Sequence, residues 1–431
     1  MRYYSTNDRS RSYSLREAVL LGLPPDNGLF MPEHIPALSS GFISSLRGLS
    51  LVDIGAAVSK EWFGQDIAIS ELDRMVMEAF PFDTPVVTID ERTHVLELFH
   101  GPTLAFKDVG ARFMARLMSW LVKDSDRKLT ILVATSGDTG SAVASGFFGV
   151  ENIEVIILYP SGKVSPSQEK QLTTWGGNIT ALEVLGTFDD CQRMVKEAFL
   201  DAELQTAYRL TSANSINISR LVPQSFYYFR AVAQLEDLSR PVRFVVPSGN
   251  FGNLTAGILA KRMGLAVDRF IAATNLNDVI PEYLLSGDFN PRASVSTISN
   301  AMDVGNPSNF WRMKELYEGD YEAMKQDIVG YRVDEHATRA AMVDCHGKCG
   351  YVLEPHGAVG YDAWKRIGDD HRSQGIILET AHPAKFPDVI KESLGIDPLI
   401  PDRLATIVSK EKHSTLIPIG LAPLKDFLLS R

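Results

Sequence analysis

The sequence predicts an α/β protein built on two parallel-type twisted sheets flanked by helices, preceded by a mainly helical unit. Three observations carry this expectation. From about Glu97 onward, short apolar runs rich in β-branched residues alternate with segments of helical period. Several runs are apolar at every position, as in Ile131-Leu132-Val133-Ala134 and Phe244-Val245-Val246, which suits strands covered on both faces. Two glycine-rich loops stand where such a run gives way to a helix, the place where open parallel sheets bind ligands.

Residues 1–95 read as the N-terminal mainly helical unit. Ser14 caps a helix through Leu15, Ala18, Val19, Leu20 and Leu21 that ends near Gly22. Asp26-Asn27-Gly28 is turn chemistry, and Pro32, Pro36 and a serine-rich patch extend the irregular stretch. Helical patterns run from Val52 to Trp62 and from Leu72 to Phe80, before Pro81 and Pro85 mark a boundary. Nothing in this unit reads as catalytic. Residues 96–431 form the second region, with a smaller subdomain at roughly 105–210 and a larger one built mainly from 211–431. Its strands are predicted at Thr130–Thr135, Glu154–Tyr159, Ile179–Val184, Arg243–Pro247, Arg269–Thr274 and Ile376–Thr380. Helical patterns between them include Ser165–Trp175, Asp189–Leu204 and Asn253–Met263.

Composition excludes several classes. Hydrophobic residues make up 45% of the 431 and charged ones 22%, ordinary for a globular chain. A net charge of −10 argues against nucleic acid as a partner. No apolar run reaches the roughly 18 residues of a membrane span, and Met1-Arg2-Tyr3-Tyr4-Ser5-Thr6 lacks the apolar core of a secretory signal. Three cysteines fit a reducing cytosol better than a disulfide framework. The expectation is a cytoplasmic protein, monomer or homodimer, that binds neither nucleic acid nor membrane. Cys345-His346-Gly347-Lys348-Cys349 has no second ligand pair at a zinc-like spacing and reads as a helix end, so no metal is expected.

The chemistry-bearing stretch is Leu98-Phe99-His100-Gly101-Pro102-Thr103-Leu104-Ala105-Phe106-Lys107-Asp108. Val109, Phe113 and Leu117, four apart, predict a helix opening at Lys107, with Asp108 suited to its positive end. The helix terminus and Phe106 both disfavour an ammonium, which would leave a nucleophilic amine; the other reading is a lysine snorkelling from a loop. Thr135-Ser136-Gly137-Asp138-Thr139-Gly140 reads either as an anion site at a helix N-terminus or as a tight turn. Ser248-Gly249-Asn250-Phe251-Gly252-Asn253 is the stronger loop, with backbone N–H groups free to converge on a phosphate. It lacks the P-loop lysine and the dinucleotide spacing, so a small phosphorylated cofactor fits better. Thr211 to Arg220 offers hydroxyls, amides and an arginine fork to a second anion through Ser212, Asn214 and Arg220, or is a solvated polar loop. Thr380 either presents a hydroxyl at a strand's end or caps a helix, and His356 either faces the site or caps.

Taken together, the lysine and the two loops resemble the fold-type II pyridoxal-phosphate enzymes of the tryptophan-synthase β kind, and more closely the threonine synthases of bacteria and fungi. The matching motifs are Asn27-Gly28-Leu29-Phe30, His100 to Asp108, Ala134 to Gly140, Ser212 to Asn217, Ser248 to Asn253, Asn300-Ala301-Met302-Asp303-Val304 and Thr380-Ala381-His382-Pro383-Ala384-Lys385-Phe386, spread over nearly the whole chain. The resemblance implies that Lys107 binds pyridoxal 5'-phosphate covalently and that Ser248, Gly249, Asn250, Phe251, Gly252 and Asn253 cradle its phosphate. It implies Thr380 at the ring nitrogen, a neutral partner that leaves that nitrogen less firmly protonated. Thr135, Ser136, Gly137, Asp138 and Thr139 would face the substrate, with Ser136–Thr139 holding its carboxylate or the cofactor's ring oxygen, although many relatives in the wider fold carry asparagine where this chain has Asp138. The implied reaction turns O-phospho-L-homoserine and water into L-threonine and phosphate. Ser212, Asn214 and Arg220 are assigned to the substrate phosphate on their chemistry.

Overall fold

The computed structural model describes residues 1–368 and 370–431. In chain order its first strands are β1 (Arg2–Ser5), β2 (Tyr13–Ser14), β3 (Phe30–Pro32), β4 (Val86–Asp90), β5 (Thr93–Glu97), β6 (Leu129–Ala134) and β7 (Ile153–Pro160). There follow β8 (Ile179–Val184), β9 (Arg209–Ser212), β10 (Val242–Pro247), β11 (Arg269–Thr274), β12 (Ile328–Arg332), β13 (Gln374–Glu379) and β14 (Thr415–Ile417). Packing groups the chain into two units. The smaller comprises Arg2–Phe30, Lys107–Arg220 and Ile400–Arg431, and the larger comprises Met1, Met31–Phe106 and Leu221–Leu399. This divides the chain differently from the expected 1–95 and 96–431, because the first ninety-odd residues are shared between both units.

The smaller unit is organised on a sheet of order β14-β8-β7-β6-β9, parallel throughout. Every residue of β6 is buried, as its unbroken apolar run demands for a strand covered on both faces. Leu132, Ile156, Leu158 and Leu182 form its core with Met194, Val195 and Leu424 from helices. Arg2 and Tyr3 of β1 pair antiparallel with β2, and Ser14 then caps the helix Leu15–Leu21 through a capping box with Glu17. The single helix expected over Asp189–Leu204 is two, Phe188–Leu200 and Ala202–Ala207. Asp201 separates them because its side chain accepts from the Leu204 N–H and caps the second.

The larger unit holds a sheet of order β12-β11-β10-β13-β5-β4. It is parallel except for β4, which runs antiparallel to β5 at the edge and has no buried residue. Val245, Ile271, Ile377 and Trp364 centre its core. The helices Leu51–Phe63 and Ile69–Ala79 fall where the apolar period places them. Gly347, exposed in the helix Glu335–Cys349, would have nothing within 4 Å of an added Cβ. Gly347→Ala is therefore expected to stabilise by about 0.5–1 kcal/mol, read as a raised Tm. Among the described residues, no helix is long and apolar enough to cross a membrane, and no three His, Cys, Asp or Glu side chains cluster to hold a metal ion.

Candidate active site

Each sheet reverses its strand order once. In the smaller unit the chain lays β6, β7 and β8 side by side, then returns to put β9 on the other flank of β6. In the larger unit β10, β11 and β12 run outward, and β13 returns to the other flank of β10. A crevice opens at the carboxyl ends of the strands at such a reversal. The loops after β6 and β9 and those after β10 and β13 are the four polar segments singled out from the sequence.

In the smaller unit, the helix Lys107–Val122 begins at Lys107 itself. The Lys107 side chain is 15% exposed, and its Nζ lies 3.7 Å from Oδ2 of Asp138, which is 3% exposed. Asp138 opens the helix Asp138–Phe147, and its Oδ1 accepts from Nε2 of Gln168 at 2.9 Å. The loop is drawn tight by Thr135, whose Oγ1 accepts from the N–H groups of Gly137 (2.9 Å) and Gly140 (2.8 Å). Gly137 has φ +136°, and a Cβ there would meet the Gln168 amide at 2.6 Å, so both backbone and space require glycine. Thr135 is thus spent on shaping the loop, while Ser136 and Thr139 stay half-buried. The carboxylate beside Lys107 favours an ammonium, against the influence of the helix N-terminus expected from the sequence.

Parallel pairing of β6 with β9 sets Leu132 against Ser212. The turn after β9 therefore lies beside the Thr135 loop, and Nδ2 of Asn214 donates to the Ala134 carbonyl at 3.0 Å. Ser212 Oγ accepts from the Asn214 N–H at 3.2 Å. Arg220 departs from expectation. Rather than an open fork, it is 2% exposed, with Nη1 donating to the Ala213 carbonyl at 2.6 Å. Burial pushes its guanidinium down to about 10, and the Asp108 charge acts in the opposite sense. It braces the turn from inside.

In the larger unit, Ser248 to Asn253 links β10 to the helix Gly252–Arg262. Asn253 holds the loop's ends together: its Nδ2 donates to the Pro247 carbonyl and its Oδ1 accepts from Ser248 Oγ, both at 2.8 Å. Phe251 takes a left-handed φ of +58°, a strain of about 1–2 kcal/mol that turns the loop into the helix. Asn250 Oδ1 accepts from the Ser308 N–H at 2.6 Å, and its carbonyl accepts from Asn309 Nδ2 at 3.0 Å. Nη1 of Arg312, wholly buried, donates to Asn309 Oδ1 at 2.9 Å. The first N–H groups of a helix have no acceptor one turn back; of these, that of Leu254 is taken by Asn253 Oδ1 at 2.9 Å.

Thr380 follows β13, the neighbour of β10. Its carbonyl accepts the N–H of Phe106 at 2.8 Å, Ala381 bridges Ala105, and buried Lys385 donates to the Thr103 carbonyl at 3.0 Å. The segment ending in Phe106, one residue before Lys107, is thereby clamped by the segment after Thr380. Thr380 Oγ1 donates to Glu354 Oε1 at 3.0 Å, and Glu354 also binds His356. His356 is tied to this network, and the cap of the helix Pro355–Ala363 is Glu354 rather than His356. Gln168, Arg312, Asn309, Glu354 and Glu379 were not singled out from sequence as site residues. Only the Ser165-to-Gln168 capping box and the Glu354-Pro355-His356-Gly357 turn carried any signal for them.

The chain is similar to known proteins along its whole length. A pyridoxal-phosphate dependent enzyme profile matches residues 81–378, and threonine synthase N-terminal and C-terminal profiles match 2–80 and 357–428. The chain is 44% identical to the threonine synthase of Escherichia coli (strain K12) over 100% of both chains, and the E. coli crystal structure superposes with a TM-score of 0.94. A PLP-bound threonine synthase structure from Brucella melitensis matches at 37% identity and TM-score 0.92, covering 99% of this chain and 98% of its own. Maize serine racemase, 18% identical with TM-score 0.53, covers 72% of this chain and 92% of its own, and shares the fold alone. With 44% identity sustained from end to end, the chain belongs to the threonine synthase family of pyridoxal-phosphate-dependent enzymes.

Proposed function

We propose that the chain converts O-phospho-L-homoserine and water into L-threonine and phosphate, with Lys107 as the proton carrier. What carries this reading is coverage. The E. coli threonine synthase structure covers 100% of this chain, whereas maize serine racemase covers 72%.

The residues present suit pyridoxal phosphate. Lys107 offers the amine, the Ser248–Asn253 loop offers N–H groups where Gly249 leaves no room for a Cβ, and Thr380 offers a hydroxyl to the ring nitrogen. When bound, the cofactor supplies an aldehyde for the substrate amine and a conjugated ring that spreads negative charge away from Cα. Lys107, once the substrate amine has taken its place, removes the proton from Cα and then one from Cβ. Phosphate leaves from Cγ, Lys107 returns a proton to Cγ, water adds at Cβ and Cα is reprotonated. Asp138 balances the charge the amine gains with each proton. Ser136 and Thr139 hold the substrate carboxylate at the start of the helix Asp138–Phe147, on a loop shaped by Thr135 and Gly137. Ser212 and Asn214 receive the substrate phosphate, and Arg220 supports their turn from within. The same reading makes the enzyme cytoplasmic, a monomer or homodimer with no nucleic-acid or membrane partner.

The test is incubation of the loaded protein with O-phospho-L-homoserine, following phosphate and threonine together. Equal release of both is expected. Phosphate with a keto acid in place of threonine overturns the control of water addition, and neither product overturns the substrate.

A further inference from the structure

Two carboxylates with no exposed surface, Glu354 and Glu379, stand at the end of β13 beside Thr380. Their surroundings differ. Glu354 Oε1 accepts from Thr380 Oγ1 at 3.0 Å and from the Gly357 N–H at 3.1 Å. Its Oε2 accepts from the His356 N–H at 2.8 Å and faces His356 Nδ1 at 2.5 Å. The imidazole tautomer follows from its other side. Nε2 lies 3.1 Å from the backbone N–H of Ala301, a group that can only donate. Nε2 is therefore the acceptor, and Nδ1 carries the proton that points at Glu354. Four donors converge on Glu354, filling the acceptor sites of an ionised carboxylate.

Glu379 is the opposite case. Its Oε1 accepts one backbone N–H, that of Glu354, at 2.7 Å, and among the described residues its Oε2 meets no hydrogen-bond partner. Burial, followed by the Glu354 charge, raises its proton affinity well above that of an ordinary glutamate. Of the two carboxyl groups, Glu354 therefore has the set of donors that suits a carboxylate anion, and Glu379 does not.

A threonine hydroxyl has one proton, and that of Thr380 is committed to Glu354. We propose that Thr380, backed by Glu354 and His356, presents only lone pairs and so holds the ring nitrogen of the bound cofactor in its protonated form. The proposal rests on the assignment of Thr380 to that nitrogen made above, and it reverses the effect expected of a neutral hydroxyl. Thr380 then acts as an extension of a buried carboxylate, favouring a ring that draws more charge from Cα. Glu354 and His356 are positioning residues. Through Ala301 they also tie the ring end of the site to Asn300–Met302, the segment that packs on Gly249.

The test loads the full-length protein with pyridoxal phosphate labelled with ¹⁵N in the ring and reads the nitrogen's chemical shift. The wild type is expected to give a protonated-pyridine shift at pH 7.5, retained in Thr380→Ser and lost to the unprotonated position in Thr380→Val. Glu354→Gln, which keeps the shape and removes the charge, is expected to move the signal the same way as Thr380→Val. An unprotonated shift in the wild type overturns the proposal, and an unmoved shift in Glu354→Gln removes Glu354 from it. Should Glu354→Gln fail to fold, the serine and valine pair decides alone. A wild-type protein that retains no label overturns the cofactor assignment and this inference with it.

Discussion

Lys107→Ala is expected to lower kcat/KM for threonine formation by at least about 10³-fold, since one amine moves protons at several carbons and general acid–base catalysis alone contributes about 10²–10⁴. The fold should survive. Lys107 is the first residue of its helix and is partly exposed, and alanine is the best helix former. What the substitution does disturb is Asp138, 3% exposed and 3.7 Å from the lost amine. Leaving that carboxylate without its cation costs about 1–3 kcal/mol, against a total stability of about 5–15 kcal/mol. Two effects can therefore be separated. Adding Asp138→Asn to Lys107→Ala should restore Tm, because the neutral amide retains an oxygen for Gln168, yet restore no turnover. Steady-state phosphate and threonine release, with thermal melts on the same samples, checks both. Turnover in Lys107→Ala within tenfold of the wild type would remove the lysine from the chemistry.

How much of this was legible in the sequence depends on where each residue draws its position. The site-bearing strands β6 and β10 are legible because their buried stretches are apolar at nearly every position. β5 is not: Thr93, His94 and Glu97 make it polar at three of five residues, and it is held by register, Gly375 to Glu379 of β13 against Thr93 to Glu97. The Ser248–Asn253 loop is legible from its glycines and asparagines. That Gly249 answers to Met302, and Asn250 to Ser308 and Asn309, is not, since those partners reach it only through the fold. The same holds for charge. Sequence neighbours of Lys107 argue for a suppressed ammonium, and Asp138, a strand and a loop further on, argues against it. Arg220 reads as a surface grip in a polar run. Its burial follows from β9 lying against β6, which turns that run inward. Residue types reveal which chemistry is available, and topology decides which face of each residue is left to perform it.

Gly249→Ala is expected to weaken pyridoxal-phosphate binding on the order of 10²-fold, equivalent to about 2.7 kcal/mol. A Cβ at this position would stand 2.6 Å from Met302 Cα, 3.1 Å from the Met302 carbonyl carbon and 3.1 Å from the Ala301 carbonyl oxygen. All three are backbone atoms, so no rotamer change relieves the contact, and either the Ser248–Asn253 loop or the Asn300–Met302 turn must move. Overpacking of this kind costs about 1–3 kcal/mol of stability. The larger consequence is for the aligned N–H groups, because hydrogen bonds weaken steeply once their angles are lost. Absorbance titration of the cofactor-free protein measures the affinity directly. At saturating cofactor the substrate KM should stay within about threefold of the wild type, since Lys107, Ser136 and Asn214 are held by other strands. A second variant distinguishes a backbone collision from a crowded side chain. Gly249→Ala combined with Met302→Ala should recover no affinity, because truncating the Met302 side chain leaves its Cα and carbonyl carbon where they were. Recovery in the double variant, or wild-type affinity in the single one, would mean that the loop's shape does not depend on glycine and that its grip on phosphate comes from the side chains of Ser248 and Asn250 instead.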